Sequence, residues 1–223
     1  IMIFSSRLHA GQQLAQALRH FANDKSVVIL ALPRGGVPVA AEVARELHTP
    51  LDVIICRKIG APGNPEFAIG AISEAGGLFL NREVIDAYGI SQKYIDSTIA
   101  SEQDKIKLYQ QEFRNLASSP YEGGAGRGLP RLKNKTVILV DDGAATGMTL
   151  KAAIDAVKQQ NPAKIIVALP VAPPDTAREL RKLVDEIIIL ETPPYFQAVG
   201  QFYADFTQVE TAEVKKLLGE NDE

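Results

Sequence analysis

Apolar runs of strand length alternate along this chain with segments of helical spacing. VVILAL (27–32) leads through PRGG into VPVAAEVARELH. TVILVDD (136–142) leads into a helical segment over 148–160. AKIIVALPV leads into PDTARELRKLV, and EIIILE follows; LDVIICRK (51–58) reads as a further strand. A strand that is apolar at every position needs cover on both faces, which is the condition of a parallel sheet layered between helices. The pattern predicts an α/β fold with a mainly parallel sheet flanked by helices on both faces. Ligands of such sheets bind beyond the carboxyl ends of the strands. That rule selects three segments: Pro33–Gly36, Arg57–Gly70 and Asp141–Thr149.

The intervening segments are shorter of information. Leu8, Leu14, Ala15, Leu18 and Phe21 give residues 7–22 helical spacing. IGAPGNPEFAIG, rich in Gly and Pro, reads as a loop, and AISEAGGLFLN as a hairpin turning at Gly76-Gly77. Ser91 to about Leu116 reads as a long polar helix. SSPYEGGAGRGLP reads as a connector, and the tail closes with a short helix over Val214–Leu218.

The 223 residues suit one domain, and 46% of them are hydrophobic, enough for a sizeable core. The net charge is −3 with scattered Lys and Arg, which argues against sequence-independent nucleic-acid binding. No apolar run approaches the roughly 20 residues of a membrane span, and no signal peptide is visible at the N-terminus. A single cysteine, Cys56, leaves no intramolecular disulfide framework and fits a reducing, cytoplasmic setting. Cys56 reads as a packed thiol. His9, His20 and His48 lack metal-ligand spacing and read as structural.

VILVDDGAATGMT, Val137–Thr149, carries the chemistry. Its apolar strand delivers two adjacent aspartates to the sheet edge. Neighbouring strand residues point to opposite faces, so the two carboxylates need not share a task. Small residues then turn the chain into a helix, whose first N–H groups and dipole favour an anion. Thr146 and Thr149 add hydroxyls. A phosphate fits the cradle, and ribose hydroxyls or a hydrated Mg²⁺ fit the carboxylates. A sugar phosphate has both features. A plain helix cap needs one acid, not two. Neither the G-x-x-x-x-G-K-[ST] partner of a nucleotide hydrolase nor a dinucleotide G-x-G-x-x-G follows a strand here.

These residues resemble the signature of type I phosphoribosyltransferases. PRGGVPVAAEVA, RKIGAPGNPEFAIGAI and FQAVGQFYADF extend the likeness to a bacterial subgroup labelled only as predicted phosphoribosyltransferases. The resemblance implies transfer of a phosphoribosyl group from phosphoribosyl pyrophosphate (PRPP) to a nitrogenous base, with Mg²⁺-assisted release of pyrophosphate. It implies that Asp141 and Asp142 hold the ribose hydroxyls, directly or through Mg²⁺. It places the 5′-phosphate on Gly143, Ala144, Ala145, Thr146, Gly147, Met148 and Thr149. Arg34, Gly35 and Gly36, with Arg57 and Lys58, are implied for pyrophosphate; Asp141, Asp142 and Lys58 are the implied catalytic residues. Glu66 is a further polar candidate. The resemblance also implies a mobile loop over 59–70 and an unusual peptide geometry in PRGG. The segment at about 82–132 exceeds a minimal core of that family and reads as a helical insertion; the resemblance implies a C-terminal hood at about 191–223 for the base, and a homodimer.

One departure bears on the substrate. Ala145 stands where hypoxanthine-guanine enzymes carry an acid near the purine, which disfavours a 6-oxopurine. In the hood, Tyr195, Phe196, Phe202, Tyr203 and Phe206 can stack on a flat ring or pack the tail. Two other functions compete with transfer: a PRPP- or nucleotide-binding regulator, and a hydrolase of a phosphorylated sugar or nucleotide. A regulator of nucleic acid needs a basic surface, and none is evident.

Overall fold

The computed structural model describes residues 4–114 and 129–219. Its strands are β1 (Val27–Ala31), β2 (Leu51–Val53), β3 (Cys56–Ala61), β4 (Asn64–Ser73), β5 (Leu78–Leu80), β6 (Thr136–Val140), β7 (Lys164–Val171) and β8 (Glu186–Glu191). Its helices are α1 (Arg7–Leu18), α2 (Gly36–Leu47), α3 (Arg82–Ala87), α4 (Gln92–Arg114), α5 (Met148–Lys158), α6 (Pro174–Arg181) and α7 (Thr211–Gly219).

The main sheet is parallel, ordered β2-β1-β6-β7-β8. Alternate residues of its strands feed two cores. Ile29, Ala31, Ile138 and Val140 join α1 and α2 on one face. Val28, Leu30, Val137 and Leu139 join α5 on the other. Both faces are covered, which is why period-two alternation is missing from the sequence. The chain leaves β1 for β2 on one side and later returns to the other side of β1 as β6. The crevice between the carboxyl ends of β1 and β6 is therefore the topological switch point. Ala31 and Val140 are register partners there, and the Leu32 amide donates to the Val140 carbonyl at 2.9 Å.

Two expectations are corrected. LDVIICRK does not run as one strand. Leu51–Val53 belongs to the parallel sheet, the chain breaks at Ile54 and Ile55, and Cys56 starts a second, antiparallel sheet ordered β3-β4-β5. Residues 59–70 are not an irregular loop, since they form most of the β3–β4 hairpin. Its Gly and Pro residues serve the hairpin itself. Pro62 and Gly63 (φ 73°) form the turn, with Pro fixing one dihedral and Gly supplying the positive one. The register shifts at Gly60, where a Cβ would strike the Pro65 backbone at 2.5 Å, so a bulge glycine stands there. β4 and β5 pair antiparallel, as the hairpin reading of AISEAGGLFLN expected.

The small sheet rests on α5, with Ala71, Met148 and Ala152 packed together. From the other side α4 braces β3, where Tyr94 Oη donates to the Gly60 carbonyl at 3.0 Å. Most of the connector SSPYEGGAGRGLP lies outside the described residues. Among the described residues no helix is long and apolar enough to cross a membrane.

Candidate active site

A cleft of about 700 Å³ opens at the carboxyl ends of β1 and β6. Its floor is the segment Asp141–Thr149. Leu32 and Pro33 enter from β1, Lys58 and Glu66 from the β3–β4 hairpin, Asn81 and Val84 from the start of α3, and Val199 and Phe206 from the tail. β6 ends at Val140, and the chain turns through Gly143 into Gly147 (φ 64°), which caps α5 without a side-chain hydrogen bond. The first-turn N–H groups of α5 therefore have neither an intrahelical acceptor nor a side-chain cap, the condition of an anion cradle. Two contacts set the loop: the Ala144 amide donates to the Val171 carbonyl at 3.0 Å, and Thr176 Oγ1 donates to the Ala145 carbonyl at 2.6 Å. Ala145 and Thr146 are exposed on the cleft wall.

The acid pair is divided, as the pleat requires. Asp141 is half-buried, and its Oδ1 accepts the Asp142 amide at 2.9 Å. Burial pushes its carboxyl well above the usual aspartate range, and the charge of Asp142 adds to this; the Asp142 amide, Lys58 and Arg7 pull the other way. Asp142 is buried with its Oδ2 accepting from Arg7 Nε at 2.8 Å. Burial raises its carboxyl too, opposed by the charge and hydrogen bond of Arg7.

Beneath the pair lies the loop after β1. The Pro33–Arg34 peptide bond is cis. Gly35 and Gly36 approach so closely that side chains there would meet Asp142 and the Val140–Asp141 backbone. PRGG and VDDG, more than a hundred residues apart in sequence, thus pack against each other. The Arg34 side chain instead extends toward Glu210 (Nη1 to Oε2, 3.9 Å) and does not line the cleft.

Arg57 and Lys58 part company for the same reason as the aspartates. Lys58, exposed, lines the cleft and is close enough to act electrostatically on Asp141. Arg57 points to α4, where its Nε donates to Glu102 Oε2 at 2.9 Å and its guanidinium lies 5.6 Å from the Tyr109 ring. Glu102 also accepts from Lys105 Nζ at 2.5 Å. Burial would raise the Glu102 carboxyl, but the hydrogen bonds from Lys105 and Arg57 prevail and hold it below the usual range. Cys56 is only half-buried and forms part of the cleft; burial, with the charges of Glu74 and Asp141, pushes its thiol up.

The tail aromatics divide as well. Phe202 and Tyr203 are buried, and Phe196 packs on Phe202 with centroids 5.0 Å apart. Tyr195 is exposed. Phe206 alone of the five lines the cleft. Two cleft residues, Asn81 and Val84, escaped the sequence reading, as did Arg7, which meets the cleft only through Asp142. Asn81 caps α3 through the Val84 amide and Val84 has helical surroundings, so neither carries a chemical signal. Arg7 sits in the first turn of α1, where an arginine reads as solvated; only the fold brings it to Asp142. The histidines make local contacts, such as His9 Nε2 with Gln13 Nε2 at 2.8 Å.

A fold of this order, with a two-acid, small-residue loop at its switch point, defines a doubly wound α/β protein whose cleft opens at one sheet edge. The phosphoribosyl transferase domain model matches residues 6–207, and the chain belongs to that family. It is 39% identical over 216 residues to "Putative phosphoribosyl transferase Rv0571c" of Mycobacterium tuberculosis, a match covering 97% of this chain and 46% of that protein. The chain thus spans about half the length of the mycobacterial relative. The bifunctional protein PyrR of Desulfosudis oleivorans is 35% identical over 119 residues, 52% of this chain and 56% of that one. Among solved structures, TT1426 from Thermus thermophilus superposes with a TM-score of 0.78 at 40% identity, covering 98% of this chain and 99% of that chain.

Proposed function

We propose that this domain transfers the phosphoribosyl group of PRPP to a ring nitrogen of a flat acceptor. The observation that carries the reading is the meeting, in one cleft, of an uncapped helix start, an acid pair and Lys58. The 5′-phosphate would sit on the amides and hydroxyls of Gly143–Thr149. Asp141 would take the ribose hydroxyls. In the loop after β1 the Gly36 N–H already donates to the Leu32 carbonyl at 3.0 Å, so the Gly35 N–H would face pyrophosphate, with Lys58 opposite. Phe206 and Val199 would wall the acceptor, replacing the contact that an acid at position 145 would make.

In the reaction a nitrogen lone pair forms the new bond to C1 of the ribose as the C1–O bond breaks. Pyrophosphate leaves with the bonding electrons, and the proton on nitrogen passes to solvent. Positive charge gathers on the sugar ring, which Asp141 stabilises, while Lys58 offsets the charge of the departing group. Positioning supplies the rest. No group of three His, Cys, Asp or Glu among the described residues could hold a metal. Mg²⁺ suits such a site, because it keeps several waters and takes phosphate oxygens. Asp141, with Asp142 behind it, is the protein donor that fits. The ion would neutralise pyrophosphate charge when bound.

The test is pyrophosphate release from PRPP with Mg²⁺ across a panel of bases. Base-dependent release supports transfer. Release independent of base points to a hydrolase, and saturable PRPP binding without turnover points to a regulator. The homodimer implied by the resemblance is checked by light scattering.

A further inference from the structure

Arg7 makes three contacts that converge from separate parts of the chain. Its Nε donates to Asp142 Oδ2 at 2.8 Å, its Nη1 donates to the Thr207 carbonyl at 2.7 Å, and its guanidinium lies 3.9 Å from the Phe206 ring centroid. Asp142 and Phe206 both line the cleft. Resting on the phosphoribosyl reading above, we propose that Arg7 is a positioning residue, seating the Phe206 ring as the acceptor wall by fastening the C-terminal segment to Asp142.

The segment that carries Phe206 has no regular secondary structure between the bridge at Tyr203 and α7. Main-chain bonds attach it as far as Asp205: Ala204 N donates to the Phe4 carbonyl at 2.8 Å and Asp205 N to that of Ser5 at 3.1 Å. Arg7 extends the attachment to residues 206 and 207. Tyr203 supports it from below, donating its phenol hydrogen to the Asp142 carbonyl at 2.6 Å with its ring 5.0 Å from Phe206. Asp142 is thus tied to the tail through its side chain and its main chain at once. The task needs arginine. A planar fork can serve a carboxylate and a carbonyl on different edges and still offer a flat face to a ring, whereas an ammonium is a point charge. Charge alone would keep Asp142 paired; the fork and the face are what place the ring.

Hydrogen exchange in the ligand-free protein tests this, comparing wild type with Arg7→Met and Arg7→Lys. The peptide covering 204–209 is expected to exchange at least about tenfold faster in Arg7→Met, with β1 and β6 unchanged. Arg7→Lys should leave most of that acceleration in place although it restores a charge beside Asp142. Binding supplies the second readout, comparing ribose 5-phosphate with four nucleoside monophosphates. The advantage of the tightest monophosphate over ribose 5-phosphate should fall at least about fivefold in both variants. Unchanged exchange in folded Arg7→Met, full restoration by Lys, or an undiminished advantage would each overturn the proposal. If Arg7→Met does not fold, Phe206→Leu keeps the ion pair and must loosen the same peptide; unchanged exchange there overturns it as well. Exchange is read without ligand, so a wild-type chain that binds no PRPP sinks the transferase reading while this test still stands.

Discussion

A methyl group on Gly35 would lie 2.2 Å from Asp142 Oδ2, so the loop after β1 and the acid pair after β6 touch at the limit of packing. Gly35 has φ −61°, which any residue adopts, so its value here is space and not backbone freedom. Asp142 cannot swing aside cheaply, because Arg7 holds the same oxygen. Gly35→Ala is therefore expected to displace the carboxylate, destabilising the protein by about 1–3 kcal/mol. PRPP affinity should fall at least about tenfold, or ~1.4 kcal/mol. Thermal unfolding and PRPP titration check the two effects. Wild-type values in both would mean that the loop and the acid pair are not coupled.

Asp141 is held at the expense of stability. Its folded carboxyl is raised by burial and by Asp142, so the folded protein keeps this proton more tightly than the unfolded chain does. Between the unfolded and folded pKa values the folded state binds more protons, and stability rises as pH falls through that window. Ligand-free Asp141→Asn should therefore unfold at a higher temperature than wild type near neutral pH, and the gap should narrow toward about pH 5. Asparagine keeps an oxygen for the Asp142 amide, so the local turn survives. Turnover should drop at least about tenfold. A lower unfolding temperature across the whole range would contradict the assignment.

Glu102 predicts the opposite pH behaviour. Its folded carboxyl is depressed, because hydrogen bonds from Lys105 and Arg57 outweigh burial. The stability it contributes is fully present above the unfolded glutamate value and is lost as pH falls through the lower folded value. Glu102→Gln should cost about 1–2 kcal/mol at neutral pH and flatten the acid limb of the stability curve. A denaturant series from about pH 7 to pH 3 measures it. An acid limb unchanged from wild type would mean that the Arg57–Glu102–Lys105 cluster is screened by solvent.

Much of the architecture could be read from the chain because uniform apolarity in β1, β6 and β7 admits few arrangements other than a layered parallel sheet. The coming together of PRGG and VDDG was legible for the same reason, since the carboxyl-end rule needs only strand direction. The β3–β4 hairpin was not. Gly60, Pro62, Gly63 and Pro65 have the composition of a loop, and only pairing across the turn shows that they are a bulge, a turn and an edge strand. Arg7 was invisible because nothing local distinguishes an arginine aimed at a buried carboxylate from one in water.

Arg57 and Lys58 illustrate the limit most sharply, because both were expected at pyrophosphate and the pleat separates them. Lys58 is exposed in the cleft near Asp141, whereas Arg57 is tied to Glu102 and lies over Tyr109. Lys58→Ala should leave stability within about 0.5 kcal/mol of wild type, as surface substitutions do. It should cut turnover at least about tenfold by removing positive charge opposite the leaving group. Arg57→Ala should do the reverse, costing about 1–2 kcal/mol of stability by stripping Glu102 of a charged donor, with turnover within about threefold of wild type. Parallel melts and pyrophosphate-release assays on the two variants give four numbers. Equal kinetic losses would show that Arg57 leaves Glu102 to reach the substrate, and that the strand's two faces act together during the reaction.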